Sequence, residues 1–179
     1  HLCDAGWELT TSIASLPFPV IAAIPGPAIG GGAELALACD MRVVEPSARL
    51  GFRQVRMGVT TAWGTIPRLI GLVGAGAAAR LLYTGCDVDA IEAKRVGLVD
   101  EVVDEEQSVA TALRWAGDIA LGSPRAVAEM KLLLRAALET ARDVRSLERQ
   151  LFVDTWTGPD HREAVEAWFG RRPPIWRPR

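Results

Sequence analysis

VIAAIPGPAIGGGAELALACD, running from Val20 to Asp40, is the stretch from which the rest of the chain is read. Phe18 to Ile24 is a short apolar run between prolines, the pattern of a fully buried strand. Pro25-Gly26-Pro27 breaks it. Gly30, Gly31 and Gly32 then lead into AELALAC, Ala33 to about Cys39, which is apolar nearly all round and predicts a buried helix. Each glycine costs a helix about 1 kcal/mol against alanine. Three in a row therefore call for a backbone that approaches something closely. A helix N-terminus carries unsatisfied N–H groups and a partial positive charge. It suits an anion, either a phosphate or a developing oxyanion. Glu34 falls in the first turn beside those donors. Two readings of it stand: an acid/base next to an oxyanion pocket, or a helix-start acid stabilised by the dipole.

Working outward, residues 4–16 predict a helix, with Leu9, Ile13 and Leu16 at helical spacing. Met41 to Val44 and Arg49 to Phe52 predict short strands. Gln54 to Thr65 is irregular, a long loop with one helical turn. Two helical pieces, Pro67 to Val73 and Ala75 to Leu82, flank Gly74-Ala75-Gly76. A helix over Asp89 to Val96 is stopped by Gly97, and Leu98 to Val103 forms a further strand. From Glu105 onward no strand is expected. Gln107 to Leu121 carries Val109, Leu113, Ala116 and Ile119 on one face. Ser123-Pro124 marks a helix start that runs to about Val144, with Val127, Met130, Leu134 and Leu138 as its stripe. Ser146 opens another helix, and Asp160-x-x-Glu163 opens the last, ending near Gly170. Strand and helix alternate first, and helices follow alone. The expectation is an α/β protein with a parallel core over residues 1–104 and a helical module over 105–179.

The bulk composition excludes several classes. Of 179 residues, 49% are hydrophobic, enough for one packed core. A net charge of −2 gives no field for nucleic acid, and arginines gather only in the tail, at Arg171, Arg172, Arg177 and Arg179. No uninterrupted apolar run reaches the ~20 residues of a membrane span. HLCDAGWE lacks the charged head and apolar centre of a signal peptide. It also lacks a starting Met, the mark of a processed or incomplete chain. Cys3, Cys39 and Cys86 are isolated, which argues against disulfides and a zinc site and for a reducing, cytoplasmic setting. The only histidines are His1 and His161, so chemistry needing an internal pair is excluded.

The glycines are not a phosphate loop, since no G-K-[ST] follows. Gly26, Gly30, Gly31 and Gly32 do not make a dinucleotide fingerprint. Gly71-x-x-Gly74-x-Gly76 reads as a helix corner. G-x-S-x-G and H-E-x-x-H are absent.

The run P-V-I-A-A-I-x-G-x-A-x-G-G-G-x-E-L-A-L-A-C-D-x-R, Pro19 to Arg42, closely resembles the enoyl-CoA hydratase/isomerase, or crotonase, family. The resemblance continues through Gly51-Phe52, Gly58, Gly64, Arg68-Leu69 and Leu82-x-Thr84-Gly85. It then takes in Ala90-x-Glu92-Ala93 with Gly97-Leu98-Val99, Ser123-Pro124 with Lys131, and Ala167 to Trp176.

That resemblance implies a crotonase-like spiral core and an acyl-CoA thioester substrate, with coenzyme A part of the substrate and no separate cofactor or metal. It implies an enolate held by two backbone N–H groups. Gly31 supplies the second, beside Gly30. The first belongs to a segment ahead of His1, so the N-terminal part of the core is expected to be missing. Glu34 matches the first catalytic glutamate. The second falls on Gln54, which cannot act as a general acid or base but can orient water or a carboxylate. Thr60-Thr61-Ala62-Trp63-Gly64 departs from the usual loop and looks like that of members that decarboxylate alkylmalonyl-CoA. Decarboxylation needs the enolate hole but no strong second base. Trp63 would shape the acyl pocket or simply cover the core. Thr61, like Thr60, would donate to substrate or fill a turn. Trp168 and Arg171 match positions that reach the CoA nucleotide of a neighbouring subunit, or they serve an amphipathic end helix. Homotrimers or hexamers are the implied assemblies. Hydration, decarboxylation, isomerisation and a non-catalytic assembly role all remain open at this point.

Overall fold

The computed structural model describes residues 2–139 and 157–175. The helix expected from Ser146, and the far end of the one before it, lie outside the described residues. The chain divides into two compact units, His1–Ala116 and Gly117–Arg179.

The first unit opens with α1, Leu2–Ser15. Then come β1 (Ile21–Ile24), β2 (Ala28–Ile29), α2 (Gly31–Ala38), β3 (Met41–Val44) and β4 (Arg49–Gly51). A 3-10 helix, Arg53–Met57, leads toward α3 (Thr65–Thr84), followed by β5 (Asp87–Asp89), α4 (Ala90–Arg95) and β6 (Glu101–Val102). The strands form two three-stranded sheets. In one, ordered β1-β3-β6, all pairings are parallel, with Ile24 opposite Val44 and Val44 opposite Val102. In the other, β2 pairs β4 in parallel and β4 pairs β5 antiparallel. The fold is α/β, with one correction to a purely parallel core. Strands of two and three residues, β2 and β5, fall below the length at which alternation registers.

Packing follows the apolar pattern. Val44, Leu50, Phe52, Leu69, Leu81 and Leu98 are at most 1% exposed, and Ala33, Ala36 and Leu37 of α2 join their cluster. β1 is half-buried rather than fully buried, with only Ile24 enclosed. α3 is two helical pieces meeting at Gly74, whose φ of 75° and ψ of 163° no helix contains. By length and composition α3 is the one described helix able to cross a membrane. It breaks at Gly74, carries Arg68 and Arg80, and seats one face, Leu69, Ala78 and Leu81, in the core of this unit.

Two buried polar residues tie loops to this core. Arg42 on β3 is 2% exposed. Its guanidinium donates to the carbonyls of Leu98 (2.9 Å), Cys39 (2.9 Å), Ala36 (3.4 Å) and Asp40 (3.3 Å), and to Asp100 Oδ2 (3.3 Å). Glu45 accepts from the Ser108 backbone N–H (3.0 Å) and hydroxyl (2.5 Å), capping the start of α5, Ser108–Ala120. Those bonds, the Ser108 hydroxyl first, hold its carboxyl below the ordinary range.

The second unit takes in the end of α5, then α6 (Pro124–Glu139) and α7 (Pro159–Phe169). Ser123 caps α6 by accepting from the Ala126 N–H at 3.3 Å. The expected helical spacing is present in α5 and α6. However, Val109, Leu113, Met130 and Leu134 on the predicted stripes are exposed.

Candidate active site

The glycine turn is built by a strand, a kink and a helix start. β2 runs alongside β4, and the Gly30 N–H extends that ladder to the Gly51 carbonyl at 2.8 Å. Gly30 then takes φ 60° and ψ −118°, a conformation side-chain-bearing residues avoid. This turns the chain sharply into α2. Gly31 is the first helical residue, and its N–H is among those no helix carbonyl can accept.

One turn on, Glu34 is 4% exposed and accepts four hydrogen bonds. Oε1 takes one from Gln54 Nε2 at 2.6 Å. Oε2 takes three: from the Trp63 N–H at 3.0 Å, the Ala62 N–H at 3.3 Å, and the Thr65 hydroxyl in a short contact. Gln54 spends its amide nitrogen on Glu34, and its own Oε1 is buried with no donor among the described residues. The loop that supplies these donors is itself anchored. The Trp63 carbonyl accepts from Arg68 Nη1 (2.7 Å) and from the hydroxyl of Thr10 on α1 (2.9 Å), a fully buried threonine. The Trp63 indole lies between two glycines. A Cβ on Gly31 would come within 2.9 Å of its Cη2 and Cζ3, and one on Gly6 of α1 would overlap it.

Known proteins share this arrangement's sequence and fold. The enoyl-CoA hydratase/isomerase family profile matches residues 3–179. The chain belongs to the enoyl-CoA hydratase/isomerase family. It is 36% identical to the short-chain-enoyl-CoA hydratase of Clostridium acetobutylicum over 86% of this chain and 59% of that protein. It is also 36% identical to the crotonyl-CoA hydratase of Syntrophomonas wolfei, over 93% of this chain and 65% of that one. Among solved structures, Pseudomonas aeruginosa DspI superposes with a TM-score of 0.93 at 37% identity, over 98% of this chain and 68% of that one. An enoyl-CoA hydratase from Bacillus anthracis gives 0.89 at 34%, over 97% and 69%. The chain thus spans roughly three-fifths of the length of the curated relatives it matches.

Of the candidate site residues, Gly30, Gly31, Glu34, Gln54 and Trp63 lie together in the first unit. Thr61 is half-buried and adjoins the Ala62 N–H, but its hydroxyl makes no hydrogen bond to Glu34. Arg171 is exposed, with φ 49°, and belongs to the second unit. Trp168 is in α7, and its side chain lies outside the described residues. Two contributors went unassigned from sequence, Thr10 and Thr65. Thr65 is the first residue of α3, yet its hydroxyl reaches across to Glu34 instead of serving its own helix. Gln54 is held from behind by its neighbour. Arg53 Nε donates to Asp87 Oδ1 at 2.7 Å, tying the 3-10 helix to β5. That bond is the main cause of a lowered Asp87 carboxyl and a raised Arg53 guanidinium. Gly51 lets Asp87 approach, since a Cβ there would lie 3.0 Å from Asp87 Cγ and closer still to Oδ1.

Proposed function

We propose that this protein adds water to a short-chain 2-enoyl-CoA through a thioester enolate, with Glu34 as its sole acid/base. The observation that carries this reading is the pairing of Glu34 Oε1 with Gln54 at 2.6 Å, beside a buried Gln54 oxygen that still needs a donor. A buried acceptor without a partner is costly, and a water O–H satisfies it. One water can then lie against both the carboxylate and the amide. Its oxygen attacks C3 of the substrate. Its proton passes to Glu34 as the C2=C3 electrons move onto the thioester oxygen. The Gly31 N–H donates to that oxygen as charge develops. Glu34 then returns the proton to C2, completing addition of water.

A second reading rests on the same amide. Gln54 is neutral where hydratases carry an acid, so it does not repel a substrate carboxylate. That suits loss of CO2 from an alkylmalonyl-CoA, with the electrons of the C–CO2 bond forming a thioester enolate in the same N–H hole and Glu34, after taking a proton from water, passing it to the enolate carbon. In either case a homotrimer or hexamer, with Trp168 and Arg171 reaching the nucleotide of coenzyme A, completes the proposal. A reducing, cytoplasmic setting is part of the proposal, and it rests on the isolated spacing of Cys3, Cys39 and Cys86 in the sequence.

The test is turnover of crotonyl-, methylmalonyl- and ethylmalonyl-CoA by the intact protein. Hydration of crotonyl-CoA is expected, and Glu34→Gln is expected to lower it by about 100-fold or more. Exclusive turnover of a malonyl derivative would favour decarboxylation. A folded protein that acts on none of them would defeat both readings.

A further inference from the structure

We propose that Thr65 is a positioning residue that decides which oxygen of Glu34 works on the substrate. This rests on Glu34 being the acid/base of the proposed reaction. The two carboxylate oxygens are held very unequally. A carboxylate offers about two acceptor directions per oxygen. Oε2 faces three donors, the Ala62 and Trp63 N–H groups and the Thr65 hydroxyl. Its capacity is filled. Oε1 faces one donor, Gln54 Nε2, and keeps a direction open. The oxygen that exchanges a proton with water or carbon is therefore Oε1, on the Gln54 side.

Of the three donors on Oε2, two are backbone groups of a loop that α1 also holds through Thr10. Thr65 is the one side chain among them. It is 1% exposed, so no solvent substitutes for it. Its hydroxyl donates to Oε2 from the first residue of α3. Without it, Oε2 keeps only the two loop N–H groups, and the carboxylate is held less firmly against rotation about its terminal torsion, which for glutamate is broad and two-fold. The distinction between a held and a working oxygen is then weakened. The Thr65 hydroxyl is spent on Glu34, so its effect is expected on the chemical step rather than on binding.

The experiment compares wild type with Thr65→Val, which removes the hydroxyl at nearly constant shape, and Thr65→Ser, which restores it. With crotonyl-CoA, Thr65→Val is expected to lower kcat by about 10- to 100-fold, with KM within about threefold. Thr65→Ser is expected to recover most of the rate. A kcat for Thr65→Val equal to wild type would overturn the proposal. So would a folded Thr65→Ser as slow as the valine variant. Thr65→Ala replaces Thr65→Val should the latter not fold.

A second readout does not depend on turnover. The Gln54 side-chain NH2 signals, identified by their loss in Gln54→Glu, report the bond to Glu34 Oε1 by 15N NMR. They are expected to match in wild type and Thr65→Ser, and to move toward free glutamine in Thr65→Val. Unmoved signals in Thr65→Val sink the positioning role whatever the rates are. If wild type turns over no thioester while the Gln54 signals respond as expected, the reaction is wrong and the clamp stands.

Discussion

Gly31 answers to two demands at once. In the proposed reaction its N–H points at a substrate oxygen, and its missing side chain leaves room for the Trp63 ring. The two demands separate experimentally. Gly31→Ala places a methyl within 2.9 Å of the indole, and overpacking of this kind costs about 1–3 kcal/mol. Combining it with Trp63→Ala removes the obstacle. We expect the double variant to be less destabilised than the sum of the two singles, measured by urea titration. Strict additivity would mean the ring is not seated on Gly31. The placing of Gly31 and Glu34 was legible in the sequence because it is local: a glycine run, a helix start and an acid within one turn. Gln54 became visible only through resemblance, since its partner lies 20 residues away. Thr65 did not, because nothing near residue 65 shows that its hydroxyl is spent on a residue 31 positions earlier.

Among the elements, Arg42 shows how a strand residue holds a helix end in place. Its guanidinium reaches carbonyls at the end of α2 and just before β6, so α2 cannot drift relative to either sheet strand. Burial lowers the Arg42 pKa, with Asp100, Cys39 and Asp40 opposing that fall. Arg42→Met keeps the stem but orphans several buried carbonyls. We expect a loss of roughly 2–4 kcal/mol, read as a lower denaturant midpoint, with Glu34 chemistry reduced only as far as the fold is. Element order was largely readable, since α1, α2, β3, α4 and the break at Gly74 all follow from period and punctuation. What period could not convey is which face finds a cover. The stripes of α5 and α6 have the spacing of buried surfaces, yet Leu113 is 68% and Leu134 69% exposed. Spacing records that a face is apolar, and only the surroundings decide whether it is enclosed.

At the level of the whole molecule, several carboxylates set the response to acid. Glu45 is held low chiefly by Ser108, Asp87 by Arg53 and Glu92 by Arg95. Each titrates lower folded than unfolded, so between those two values the unfolded chain binds more protons. Their contribution is complete above the unfolded carboxyl range, about pH 4. It is lost as pH falls through the depressed folded values. We therefore expect stability to drop below about pH 4, and Glu45→Gln to make that drop shallower while lowering stability at pH 7. An unchanged acid limb would show that Glu45 is not held this way. The four bonds to Glu34 also set an order in time. Their donors lie 20 to 31 residues downstream, on the 3-10 helix, the approach to α3 and its first residue. During refolding the carboxylate gains its working geometry only when those segments dock on α2. Recovery of the proposed catalysis is therefore expected to report that docking, and to lag the return of helical signal from α2 itself.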